Sequence, residues 1–126
     1  MKKVLLTGGS GFIGSHLIKK LRDENCEIAS MGRTIVKSCD NYLVNDFTDL
    51  DEVRDIIYKS EPDYIFHLAG SVSLNMQSSL KLNTVFGHNI LNSLSMLGLE
   101  NKIKVLFVGS AAEYGIVPQT GMPVSE

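Results

Sequence analysis

Cysteine is scarce in this chain. Cys26 and Cys39 are the only two, and they form no C-x-x-C pair. That is how a cytoplasmic chain with free thiols reads. His16, His67 and His88 have no close metal-ligand spacing, so no metal is assigned. An excess of charge of one sign is also missing. The formal net charge of -2 argues against nucleic acid or an anionic membrane as a partner recruited by bulk charge. No apolar run approaches the length of a membrane span. The N-terminus resembles a signal peptide for a few residues only, because Thr7-Gly8-Gly9 ends the apolar stretch Val4-Leu5-Leu6. There is no internal repeat, low-complexity tract or interdomain linker. What remains is a chain of 126 residues, 44% hydrophobic and 21% charged, the balance of one globular domain with its own core.

The densest information lies in residues 2–17, KKVLLTGGSGFIGSHL. Val4, Leu5 and Leu6 read as a buried strand, and Phe12, Ile13, Leu17, Ile18 and Leu21 fall at helical spacing. Between them lies Gly9-x-Gly11-x-x-Gly14, and Gly8 fits the same spacing with Thr7 in front. Glycine lacks a Cβ, so backbone N–H groups can close on a pyrophosphate. The helix N-terminus adds partial positive charge. The strand and helix stand where the dinucleotide fingerprint requires them.

Strand and helix signals then alternate to the end. Strands are expected at residues 26–31, 41–45, 64–69 and 103–108. A helix with Leu50, Val53, Ile56 and Ile57 on its apolar face follows Thr48, read as its N-cap with Asp51 as a weak capping-box partner. A long helix is expected over residues 80–97, stopped by Gly98. Short connections and right-handed crossovers make this an α/β fold: a doubly wound parallel sheet of Rossmann type, in three layers.

In this fold an acidic residue usually ends the second strand when the ligand is NAD, where it accepts from the ribose 2′-OH. Met31-Gly32-Arg33 contains none, and Asp40 is too far along. Arg33 suits a 2′-phosphate instead, with Lys37 able to add charge. The chain therefore leans to NADP, with NAD as the alternative.

Together these motifs resemble the extended short-chain dehydrogenase/reductase family of nucleotide-sugar epimerases, dehydratases and reductases, over the whole chain. Thr7-Gly8-Gly9-Ser10-Gly11-Phe12-Ile13-Gly14 matches the TGxxGxxG loop. Asn45-Asp46-Phe47-Thr48-Asp49 matches the segment whose aspartate approaches the adenine. His67-Leu68-Ala69-Gly70 resembles the HxAA-type turn beside the cofactor, with Gly70 in place of the commoner alanine. Asn83-Thr84-Val85-Phe86-Gly87-His88-Asn89 resembles NxxGTxN, with His88 where threonine is usual. Ser110, in Gly109-Ser110-Ala111-Ala112-Glu113-Tyr114-Gly115, takes the place of the catalytic Ser/Thr. The resemblance implies cofactor contacts from Thr7, Gly8, Gly11, Phe12, Ile13, Gly14, Asp46, Phe47, Leu68, Ala69, Gly70 and Asn83, beside the Arg33 already read from the end of the second strand. It also implies a nucleotide-sugar substrate. His67 ends a buried strand and is expected to matter through its backbone more than its ring.

The family's proton-transferring Tyr-x-x-x-Lys is missing. Tyr42, Tyr58, Tyr64 and Tyr114 are followed four places later by Asp46, Pro62, Leu68 and Pro118. In relatives a PxxE-like tail such as Pro123-Val124-Ser125-Glu126 leads into that segment. The chain thus resembles the N-terminal part of such an enzyme, cut after the fifth strand. On its own it is expected to be inactive and to self-associate through the uncovered sheet face. A non-catalytic NADP-binding sensor or partner module is the competing reading.

Overall fold

The computed structural model describes residues 1–110, 115, 116 and 118–121. Its centre is a parallel five-stranded sheet in the order β3-β2-β1-β4-β5. The strands are β1 (Lys3–Thr7), β2 (Glu27–Gly32), β3 (Asp40–Leu43), β4 (Tyr64–His67) and β5 (Lys104–Phe107). The apolar run of β1 makes it the central strand, with Leu5 and Leu6 fully buried. Successive side chains of a strand face opposite ways. Val4 and Leu6 pack with Ile28 and with Ile18 of α1 (Phe12–Asp23) on one side. Leu5, on the other side, joins Met31 and Ile65 in the larger core. That core includes Val53 and Ile57 of α2 (Leu50–Ser60) and Phe86, Ile90 and Leu94 of α4 (Phe86–Met96). Helices thus cover both faces, and the expected three-layer doubly wound architecture is present.

Element boundaries differ from the sequence expectation for identifiable reasons. Strand β4 stops at His67 rather than residue 69. The Ala69 N–H turns to the Thr7 hydroxyl (3.1 Å) instead of extending the ladder. The cap of α2 is Asp49, not Thr48: the Asp49 carboxylate accepts from the N–H groups of Asp51 and Glu52. Thr48 is already committed, donating its N–H and its hydroxyl to Asp46 Oδ1. Nor does Asp51 close a capping box. Glu52 reaches back instead, accepting from the backbone N–H groups of Asn45 (2.8 Å) and Asp46 (3.0 Å).

The long helix expected from residue 80 begins earlier. It starts as α3 (Met76–Leu80), passes through a π-helical turn (Lys81–Val85) and continues as α4. Gly98, at φ +65°, ends it, with the Leu99 N–H returning to the Leu94 carbonyl. Strand β5 lies at the sheet edge. Ile103 beside it is buried, whereas Leu106, Phe107 and Val108 are each about half exposed.

Candidate functional site

The order β3-β2-β1-β4-β5 reverses direction between β1 and β4, the switch point at which open α/β sheets take ligands. A cleft of about 270 Å³ opens there, beyond the carboxyl ends of β1, β2 and β4.

The glycine loop forms its floor, and the glycines do different work. Gly8 has φ +72°, and a Cβ there would come within 2.8 Å of the Ala69 nitrogen. It lets β1 turn hard against β4. A Cβ at Gly14 would run into the Gly8 carbonyl oxygen and come within 2.8 Å of Gly9 Cα, so Gly14 brings α1 down onto the loop. A Cβ at Gly11 would meet only the Gly8 oxygen, at 3.3 Å, and Gly11 lines the cleft. Among the described residues, the space beside it is open rather than filled by protein. No side chain caps α1 and no acidic residue lies in its first turn. By contrast α2 has the Asp49 cap and both Asp51 and Glu52 in its first turn. The N-terminus left ready for an anion is the one at the cleft.

The opposite wall comes from the ends of β2 and β4. Arg33 is exposed and lines the cleft, its guanidinium 5.4 Å from the centroid of the Phe47 ring, within cation–π range. Among the described residues no carboxylate forms an ion pair with it. Leu68, Ala69 and Gly70 line the cleft from the β4 side.

Of the residues singled out in the sequence, the cleft brings together Gly8, Gly11, Arg33, Phe47, Leu68, Ala69 and Gly70. Others stand around it. Thr7 is fully buried beneath the loop. The side chains of Phe12 and Ile13 point to solvent, Phe12 resting on His16 with ring centroids 4.7 Å apart. Asp46 lines a second, adjoining pocket that shares Arg33 and Phe47 with the cleft. Hydrogen bonds from Thr48 hold its carboxyl below the usual range, helped by the charge of Lys81. Asn83 lies in the π-helical turn and grips the β4–α3 loop. Its side chain accepts from the Ser71 N–H (2.7 Å) and donates to the Ser71 carbonyl (2.8 Å). Ser110 is exposed beyond β5, while Ala111, Ala112, Glu113 and Tyr114 lie outside the described residues. Lys37 is not among the cleft-lining residues.

The His67 ring is buried. Its Nδ1 pairs with the Thr7 hydroxyl (2.8 Å), and its plane meets Phe86 and Phe107 edge-on. Burial pulls its pKa down to about 4, and among the described residues Nε2 has no hydrogen-bond partner. The ring is a core element. Ser10, Thr34, Leu82 and Phe86 also line the cleft and were not singled out from sequence. Leu82 and Phe86 carry only the i, i+4 signature of core residues.

Among the described residues no helix is long and apolar enough to cross a membrane, and no cluster of His, Cys, Asp and Glu could hold a metal.

Nucleotide-sugar enzymes are among the known proteins with this pattern. Over 117 residues the chain is 34% identical to GDP-6-deoxy-D-talose 4-dehydrogenase of Aggregatibacter actinomycetemcomitans, covering 90% of this chain and 37% of that protein. It is 28% identical to UDP-glucose 4-epimerase of Mycoplasma pneumoniae, covering 96% and 39%. Among solved structures, UDP-glucose 4-epimerase from Thermus thermophilus, in complex with NAD, superposes with a TM-score of 0.78 at 28% identity. That match covers 93% of this chain and 40% of the other. The chain therefore spans about two-fifths of the length of the relatives it matches. The model of the NAD dependent epimerase/dehydratase family matches residues 4–126. With the glycine cradle at the switch point of its sheet, the chain belongs to that family.

Proposed function

We propose that the chain is the nicotinamide-dinucleotide-binding part of a nucleotide-sugar epimerase, dehydratase or 4-keto reductase, and that it takes NADP in preference to NAD. The observation that carries this reading is the cleft itself. It has a glycine floor with open space at Gly11 and an uncapped helix N-terminus, and among the described residues no carboxylate pairs with Arg33 and no Asp or Glu lines the cleft. A pyrophosphate would be held by the loop from Gly8 to Gly14 and the start of α1, with backbone contacts from Phe12 and Ile13. The adenine would lie toward Asp46 and Phe47, and the 2′-phosphate toward Arg33. Leu68, Ala69 and Gly70 would border the cofactor on the β4 side, with Asn83 holding the adjoining loop in place.

When bound, the nicotinamide supplies hydride exchange at a sugar carbon. The chain's own candidate beside the sugar is the Ser110 hydroxyl. The tyrosine and lysine that would move the proton are not in these 126 residues. The chain by itself is therefore a binder without turnover.

Replacing Arg33 by alanine tests the cofactor preference. A charge-assisted contact to phosphate is worth about 1.5–3 kcal/mol, so NADP affinity should fall roughly ten-fold or more while NAD affinity barely changes. An equal loss for both cofactors would show that Arg33 does not read the phosphate.

A further inference from the structure

Helix α4 turns an apolar face to the core, with Phe86, Ile90 and Leu94 buried. Asn89 and Ser93 are buried on the same helix, where a polar group needs a partner. Ser93 finds one locally, its hydroxyl donating to the Asn89 carbonyl at 2.7 Å. The Asn89 side chain, by contrast, leaves its own helix. The residue is 5% exposed, and its Nδ2 donates to the Phe47 carbonyl at 2.9 Å, joining residues 42 apart in the chain.

Phe47 borders two spaces at once. It lines the cleft and also the pocket of about 260 Å³ beside it, so it forms part of the boundary they share. Its ring rests on Phe86, with centroids 4.4 Å apart, and the Arg33 guanidinium lies 5.4 Å from its centroid. Phe86 and Asn89 are three residues apart and so are neighbours on one face of α4. One helix thus holds the Phe47 ring by an aromatic contact and the Phe47 backbone by a hydrogen bond. That backbone belongs to a turn in which the Asp49 N–H donates to the Asp46 carbonyl at 3.0 Å. The Asn89 amide ties this turn to the core. An apolar side chain of the same size would fill the space equally well and would leave the carbonyl without that donor.

We propose that Asn89 is a positioning residue for the adenine end of the cleft. Through the Phe47 carbonyl it sets where the Phe47 wall stands, and so how well a purine seats against it. The inference rests on the reading above that the adenine lies toward Asp46 and Phe47, and it adds a buried residue that is not among those lining the cleft. The glycine floor does not depend on this bond. It is held by its own, from the Gly11 N–H to the Gly8 carbonyl (3.0 Å) and from the Ser15 N–H to the Gly11 carbonyl (2.9 Å).

Two small probes isolate the purine: 5′-AMP and ribose 5-phosphate, which lacks the base. Each is titrated into the full 126-residue chain and followed by NMR, which reads millimolar affinities and reports the fold of every variant in the same spectra. The parent should prefer 5′-AMP. Asn89→Leu should cut that preference about fivefold while leaving the affinity for ribose 5-phosphate unchanged. Asn89→Ser, too short to reach the carbonyl, should do the same. A general loosening of the fold would weaken both probes alike and leave their ratio in place. If the folded variants keep the parent's preference, or if neither variant folds, the positioning role is overturned and the adenine reading stands. If the parent shows no preference, the adenine reading fails and this inference fails with it.

Discussion

His67 gives up water for the Thr7 hydroxyl and the edges of two phenylalanine rings, and the exchange has a pH signature. Burial lowers its folded pKa to about 4 from the ordinary 6.5. The unfolded chain therefore takes up a proton first as the solution is acidified. Stability should be independent of this group above pH 6.5 and fall by about 3 kcal/mol on acidification from pH 6.5 to 4. Urea unfolding midpoints across that range should show the slope in the parent and lose most of it in His67→Gln. Equal slopes in the two proteins would mean that the imidazole is not the titrating group. The glycine spacing and the position of Arg33 just after β2 were legible in the sequence because each is read from residue type and order alone. Ser10 and Thr34 were not. The bond between their hydroxyls depends on two loops that only the parallel β1–β2 register brings side by side.

Element α2 shows where local sequence runs out. Thr48 and Asp49 are both good N-caps, and the chain alone does not choose between them. The choice is made by Asp46, whose carboxylate takes both Thr48 donors and leaves Asp49 to cap the helix. Asp49→Ala should cost about 1 kcal/mol of stability. Thr48→Ala, which leaves the cap intact, should cost clearly less. A denaturant series in which Thr48→Ala is the more damaging would restore Thr48 as the cap. The face of α2 was readable because its apolar residues follow a clean period, whereas in α1 Phe12 and Ile13, read at the same helical spacing as Leu17, Ile18 and Leu21, stand exposed. The π-helical turn was not readable, since a widened turn leaves no mark in the apolar pattern around it. That turn sets Asn83 against Ser71 of the β4–α3 loop while Phe86, three residues on, is fully buried in the core.

For the whole molecule, the described residues leave apolar side chains exposed along β5 and between β4 and α3. Leu106, Phe107 and Val108 are about half exposed, and Val72, Leu74 and Met76 project almost wholly into solvent. Apolar exposure at a sheet edge favours association. Sedimentation should show concentration-dependent self-association, and a clean monomer at high concentration would contradict this. No turnover of NADPH with nucleotide sugars is expected from these residues, since no tyrosine is followed by lysine four places on. Turnover by rigorously purified protein would place the proton transfer on another group.

The central claim is that the cleft between β1 and β4 holds a nicotinamide dinucleotide on its glycine floor. Its most direct test is a calorimetric titration of NADP into the parent and into Gly11→Val, with circular dichroism confirming that both are folded. A valine there would push a branched side chain into the space that the Gly11 backbone now leaves open. The parent should bind saturably and the variant should show no measurable binding. Equal affinities in two folded proteins would contradict the assignment.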